Sequence, residues 1–203
     1  NGRAALMGDK VYPGDIVMYG NRKVSMEEEA VLLAVNKPVG IVCTSEKREK
    51  DNIVDFIGYP KRIYPIGRLD KSSHGLILMT NQGGLADQIM RSRNFHEKEY
   101  IVKVNHDVTG EFLRGLSHGV YLEELEASTR PCQVEKVGRR AFRIILTQGM
   151  NRQIRRMCEY FGYRVVDLKR VRVMNIRLGD LKEGAYREVA GQELKELQEQ
   201  LKG

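Results

Sequence analysis

Nowhere in the 203 residues do 18 or more apolar residues run together, and the first residues lack the basic, apolar and small-residue succession of a secretory signal. Membrane insertion and export are not expected, so the expected location is cytoplasmic. Cysteine is scarce. Cys43, Cys132 and Cys158 are odd in number and scattered, without a CxxC pair or a histidine at zinc-ligand spacing, which argues against a disulfide framework or zinc module and for reduced, partly buried thiols. Clustered carboxylates are missing as well. The one acidic run, Glu27-Glu28-Glu29, reads as a polar connector, so metal-dependent phosphodiester cleavage finds no ligand set. Gly83-Gly84 is followed by no phosphate-loop lysine and reads as the entry to a helix. His74, His96, His106 and His118 show no consistent partner along the chain and are taken as incidental. There is no internal repeat and no low-complexity tract.

What the chain does have is a proper core and an excess of positive charge. With 41% hydrophobic residues, 203 residues can form one main domain with a small appendage. A net charge of +7 and a pI near 9.3 fit a nucleic-acid binder. The excess is concentrated between 139 and 177, where Arg139, Arg140, Arg143, Arg152, Arg155, Arg156, Arg164, Lys169, Arg170, Arg172 and Arg177 are opposed within the segment only by Glu159 and Asp167. Arginine bonds phosphate in a fork and stacks on bases, so this segment is expected to form an RNA-facing patch.

Residues 1 to 24 read as short strands joined by tight turns, around Gly8-Asp9-Lys10-Val11, Pro13-Gly14-Asp15-Ile16-Val17 and Tyr19-Gly20-Asn21, with too little apolar side chain for a core of their own. Ser25 to Glu29 reads as a connector. Beyond it, strands are expected over Val31 to Val35, Gly40 to Thr44, Leu76 to Thr80, Tyr100 to Val104, Cys132 to Val137, Phe142 to Thr147 and Val171 to Leu178. Helical spacing covers Asp51 to Ile57, Leu85 to Arg93, Glu111 to Ser117, Asn151 to Phe161 and Gln192 to Leu201. Because strands and helices do not alternate strictly, the expected class is α+β, a mixed, largely antiparallel sheet with flanking helices.

Two segments carry the chemistry. Gly67-Arg68-Leu69-Asp70 places a carboxylate in a short turn between apolar, strand-like runs, which holds a side chain at a fixed point yet leaves it accessible. The same residues also suit an ordinary turn. In the helix expected from Asn151 to Phe161, Ile154, Met157, Cys158 and Phe161 form the buried stripe. Arg152 and Arg156 point the other way, toward solvent or RNA. Arg155 lies at the border of the stripe, where a buried guanidinium would need an anionic partner. Asn151 is placed to cap the start and Gly162 the end.

Asn36-Lys37-Pro38-Val39-Gly40, Gly67-Arg68-Leu69-Asp70, Glu99-Tyr100 and Gln148-Gly149-Met150-Asn151-Arg152-Gln153-Ile154-Arg155-Arg156-Met157 occur in the order found in bacterial rRNA pseudouridine synthases. From about Val31 onward the chain resembles the RsuA/RluB/RluE/RluF family. Asp51-Asn52-Ile53-Val54-Asp55-Phe56 and His96-Glu97-Lys98-Glu99-Tyr100 look closest to the RluF branch. The N-terminal segment resembles the last strands of an S-four-type RNA-binding domain, so the expected division is 1 to 25 as the remnant of that domain and 26 to 203 as the catalytic domain.

The resemblance implies the pseudouridine synthase catalytic fold and an RNA isomerase that needs neither metal nor cofactor. It implies Asp70 as nucleophile, Arg155 as its counter-ion and Tyr100 as the base that stacks on uracil and removes the carbon 5 proton. Ile154 would pack on the other side of the base, and Arg68 would hold the flipped-out nucleotide. Asn151, Arg152 and Arg156 would join them in binding substrate. The implied partner is 23S rRNA near the peptidyl-transferase centre, with a tRNA uridine as a further substrate class, and the expected state is a monomer. A second reading, a non-catalytic RNA-binding or ribosome-assembly module, accounts for the charge but gives no reason to keep Asp70, Tyr100 and Arg155 together.

Overall fold

The structure, a computed structural model, describes residues 2–6, 8–12, 14–24, 29–90 and 95–202. Residues 25–28 of the expected connector at 25–29 and the expected helix end at 91–93 lie outside the described residues. The chain divides into two compact units, Asn1–Ala30 and Val31–Gly203.

In the first unit, β1 (Val17–Tyr19) and β2 (Arg22–Val24) form an antiparallel hairpin. Its turn contains Gly20 at φ 58°, a conformation open to a residue without Cβ. Upstream, Asp9 and Asp15 each close a turn, accepting the N–H of Leu6 and Tyr12 respectively on the carboxylate. Leu6, Tyr12, Met18 and Tyr19 are exposed, in keeping with the shortage of core-forming side chains there.

The second unit is built on a nine-stranded sheet. Its strands are β3 (Leu32–Lys37), β4 (Tyr64–Ile66), β5 (His74–Thr80), β6 (Lys98–Val104), β9 (Gln133–Gly138), β10 (Ala141–Leu146), β11 (Val165–Val173), β12 (Ile176–Arg177) and β13 (Tyr186–Glu188). A short pair, β7 (Tyr121–Leu122) and β8 (Ala127–Ser128), stands apart from it. The main order is β13-β3-β5-β11-β6-β10-β9, with β4 beside β5 and β12 beside β11. Among the described strands of this sheet, only the β5–β11 pair runs parallel. The expected mixed, largely antiparallel sheet is the one observed.

Alternating side chains send this sheet into two apolar layers. From β3 and β5, Leu33, Val35, Ile77 and Met79 enter one layer, while Leu32, Ala34, Leu76 and Leu78 enter the other. Both central strands are therefore covered on both faces, which explains their continuous apolar runs. The first layer is completed by α1 (Ile53–Ile57), α3 (Gly110–His118) and α4 (Gln153–Tyr160), through Ile53, Phe112, Leu116, Ile154 and Met157. The second is completed by α2 (Gly83–Met90) and α5 (Gly191–Gln200), through Ala86, Ile89 and Leu197. Gly75 marks the parallel junction. Its φ is 98°, and a Cβ there would lie 2.3 Å from the Arg170 carbonyl oxygen, so only glycine lets β5 and β11 meet.

Two expected strands differ from the structure. Gly40 to Thr44 makes a single bridge, Val42 to Asn52, because Val42 exchanges backbone hydrogen bonds with Asp51 and Ile53 instead of joining a ladder. Val171 to Leu178 is not one strand: β11 begins at Val165 and gives way at Met174, at φ 52°, to the turn leading into β12. Register shifts between Val165 and Asp167 and between Arg170 and Arg172 interrupt the period of two in β11 and hide its first half from a pattern search.

Candidate active site

Asp70 lies in the loop between β4 and β5, and the backbone pins that loop on both sides. The Leu69 N–H donates to Cys43 Sγ at 3.4 Å, and the Lys71 carbonyl accepts from the Gly40 N–H at 2.8 Å. Ser73 N–H closes the turn onto the Asp70 carbonyl at 3.0 Å. With Leu69 buried beneath it, the carboxylate is held at the surface of the core and stays partly accessible.

Arg155, on α4, reaches this loop from the other side. It is only 9% exposed, yet its Nε sits 3.6 Å from Asp70 Oδ2 and has no hydrogen-bond partner. The rest of the guanidinium is fixed: Nη2 donates to Ser72 Oγ at 3.1 Å and to Ser73 Oγ at 3.2 Å. The fork is thus oriented by hydroxyls while one donor remains for the carboxylate. Arg152 approaches the same oxygen, its Nη1 at 3.8 Å. Its own φ of 51° at the start of α4 turns the chain there.

Lys37, at the end of β3, is fully buried. Its Nζ donates to the Pro38 carbonyl at 2.8 Å, and burial lowers its pKa, opposed by the charges of Cys43 and Asp70 among others. The Asp70 carboxylate thus lies in the field of one cation from α4, one from the residue that precedes it and one from the end of β3. Tyr100 is nearly buried in β6, opposite Ile144 and Arg170. Its ring belongs to the same apolar layer as Leu69 and Ile154, the immediate neighbours of Asp70 and Arg155. Arg68 is exposed and borders a cavity of about 380 Å³ whose other walls include Cys43, Thr44, Tyr64 and Met90.

Several sequence-derived expectations need correction. Asn151 does not cap α4: the N-cap is Arg152 without a side-chain cap bond, and Asn151 instead accepts from Arg156 through its carbonyl and its side-chain oxygen. Arg156 does not point freely outward, since it also pairs with Glu124. At the far end the expectation holds, with Gly162 at φ 75° and the Gly162 and Tyr163 N–H groups returning to Glu159 and Cys158.

The arginine-rich segment is no open patch either. Arg139 and Arg140 pair with Asp107, Arg143 with Glu135 and Glu99, and Arg172 with Glu97 and Glu99. Arg170 is buried and donates to the Leu76 carbonyl at 2.6 Å. The opposing carboxylates, Glu97, Glu99, Asp107 and Glu135, lie outside residues 139–177, and the fold brings them in. His74 is likewise not incidental, because its Nε2 lies 2.8 Å from Asp167 Oδ1 on the neighbouring strand.

Lys37, Ser73 and Glu99 are the residues whose part was not assigned from sequence. A lysine closing an all-buried strand was the available signal for the first, and the Glu99-Tyr100 motif for the last. Two of the three thiols are poor nucleophiles, since burial pushes the pKa of Cys132 up to about 11 and that of Cys158 up to about 12. Among the described residues no group of three or more His, Cys, Asp or Glu is placed to hold a metal ion.

Residues 31–160 match the profile of a family described as RNA pseudouridylate synthase. The chain belongs to this family. Family members convert uridine in RNA to its carbon-linked isomer, so the chain is an isomerase. It is 50% identical over 205 residues to the dual-specificity RNA pseudouridine synthase RluF of Salmonella typhi, covering 100% of this chain and 70% of that protein. It is 33% identical over 197 residues to the ribosomal large subunit pseudouridine synthase B of Bacillus subtilis, covering 94% and 80%. A crystal structure of a pseudouridylate synthase superposes with a TM-score of 0.79 at 26% identity, covering 93% of this chain and 83% of the other. The pseudouridine synthase fold thus carries the Asp70 loop and the Arg155 helix.

Proposed function

We propose that this RNA pseudouridine synthase acts on ribosomal RNA, on a uridine of 23S rRNA near the peptidyl-transferase centre, with a tRNA uridine as a second substrate class. Relatives bearing rRNA or dual-specificity names at 33% and 50% identity support the substrate class. Asp70 is the nucleophile. The observation that carries this is the Asp70–Arg155 pair, in which Ser72 and Ser73 hold the guanidinium and leave its Nε 3.6 Å from the carboxylate.

In the proposed reaction Asp70 forms a covalent bond to the nucleotide, the bond between ribose and ring nitrogen breaks, and uracil rotates and rejoins through carbon 5. The covalent step divides a difficult displacement into two easier ones. Arg155 keeps the carboxylate ionised and aimed. Tyr100 stacks on uracil and takes the carbon 5 proton, Ile154 packs against the base, and Arg68, with Arg152 nearby, holds the flipped-out nucleotide. Residues 1–25 act as part of an S-four-type RNA-binding domain and 26–203 as the catalytic domain of a cytoplasmic monomer.

The test is to incubate the purified protein with 23S, 16S and tRNA transcripts and to map pseudouridine in each. A single new pseudouridine in the peptidyl-transferase region of 23S RNA is expected. Modification confined to 16S RNA, or of none of the three, would refute the assignment.

A further inference from the structure

Phe95 precedes β6 with φ 55°, a left-handed conformation that bulky side chains rarely adopt, and it is 58% exposed. Apolar burial accounts for neither property. Its ring is nonetheless organised: the Arg130 guanidinium carbon lies 4.1 Å from the ring centroid. Arg130 is held in turn, its backbone N–H donating to Gln148 Oε1 at 2.9 Å and its Nη1 to the Thr147 carbonyl at 3.2 Å. One face of the ring is therefore backed by a fixed cation, while more than half of the residue stays exposed.

The position of this pair ties it to the catalytic elements. Thr147 and Gln148 open the segment that leads into α4 with Arg152 and Arg155, and Phe95 lies five residues before Tyr100, at most about 18 Å of extended chain. Beside Phe95 runs a groove of about 600 Å³ with Glu97, Arg172, Asn175, Arg177 and Glu196 among its walls. Glu97 is engaged by Arg172 at 2.9 Å and Glu196 by Gln192 at 3.2 Å, while Arg177 is exposed. Polar walls with an exposed cation suit a nucleic-acid strand better than an apolar protein segment.

We propose that Phe95, backed by Arg130, is a stacking platform for an unpaired base of the RNA substrate, outside the pocket in which the uridine reacts. Aromatic rings and guanidinium planes are the surfaces on which unstacked RNA bases settle. The proposal rests on the reading of RNA as substrate and adds a second point of attachment to it. The platform grips a neighbouring nucleotide while the target base is turned out.

A stem–loop RNA with 2-aminopurine at successive loop positions tests this, because stacking quenches that fluorophore. The wild-type protein is expected to bind the loop and quench one position. Phe95→Asn, which suits the left-handed backbone and preserves the fold, is expected to keep the thermal midpoint, lose the quenching and bind about tenfold or more weakly. Phe95→Trp is expected to restore both. Equal binding and quenching by Phe95→Asn, with isomerase activity intact, would overturn the platform alone. A wild-type protein that binds no RNA would overturn the functional reading with it.

Discussion

Arg155 combines two demands that usually conflict, since a guanidinium taken out of water is costly unless every donor meets an acceptor. Ser72 and Ser73 meet part of that demand, and Asp70 stands opposite the donor they leave over. Lysine has the charge but not the fork. Arg155→Lys is therefore expected to lower kcat on the order of 100-fold, the usual cost of removing one oriented electrostatic group, with KM for RNA little changed. Steady-state kinetics check this. A wild-type kcat would detach Arg155 from the reaction, and a rise in KM alone would make it a binding residue.

At the scale of elements, β6 is where stability and site meet. Glu99 is buried in that strand between Arg172 of β11 and Arg143 of β10. Burial alone would raise its pKa, but the hydrogen bonds and charges of Arg172 and then Arg143 outweigh it and hold the carboxyl below its ordinary value of 4.5. A depressed carboxyl stabilises the fold fully above its unfolded pKa and ceases to do so as pH falls through the folded one. Glu99→Gln is expected to cost about 1–3 kcal/mol at pH 7, moderated because Arg172 keeps Glu97 and Arg143 keeps Glu135. Urea unfolding should show that difference shrinking below pH 4.5, whereas a gap independent of pH would contradict the ion-pair origin.

The same scale explains what was legible in the sequence. The strands β3 and β5 stand out as continuous apolar runs, and β6, β10 and the helices α3 to α5 by apolar side chains at strand or helix spacing. The first half of β11 does not, because its register shifts break that period. Asp70 was legible from its turn, and Arg155 from its place at the edge of an apolar stripe. The Asp107 and Glu99 partners of the arginines were not, since pairing across strands leaves no trace in local charge counts.

Across the whole molecule the net charge of +7 is spent unevenly. Arginines that a linear reading assigns to RNA are largely paired within the fold, while the cations gathered at Asp70 come from β3, from α4 and from the residue that caps α4. The fold brings Arg155 to within 3.6 Å of Asp70 and Lys37 to within reach of its charge, although the three residues lie on separate stretches of the chain. The charge around Asp70 is thus a property of the fold and not of any one segment.

That account turns on the Asp70 carboxylate. Replacing it by Asn and measuring tritium release from rRNA labelled at uracil carbon 5 tests the claim most directly. Asp70→Asn is expected to keep the circular-dichroism spectrum and RNA affinity of the wild type and to release tritium on the order of 1,000-fold more slowly or worse. Release at the wild-type rate would contradict the assignment of Asp70 as nucleophile.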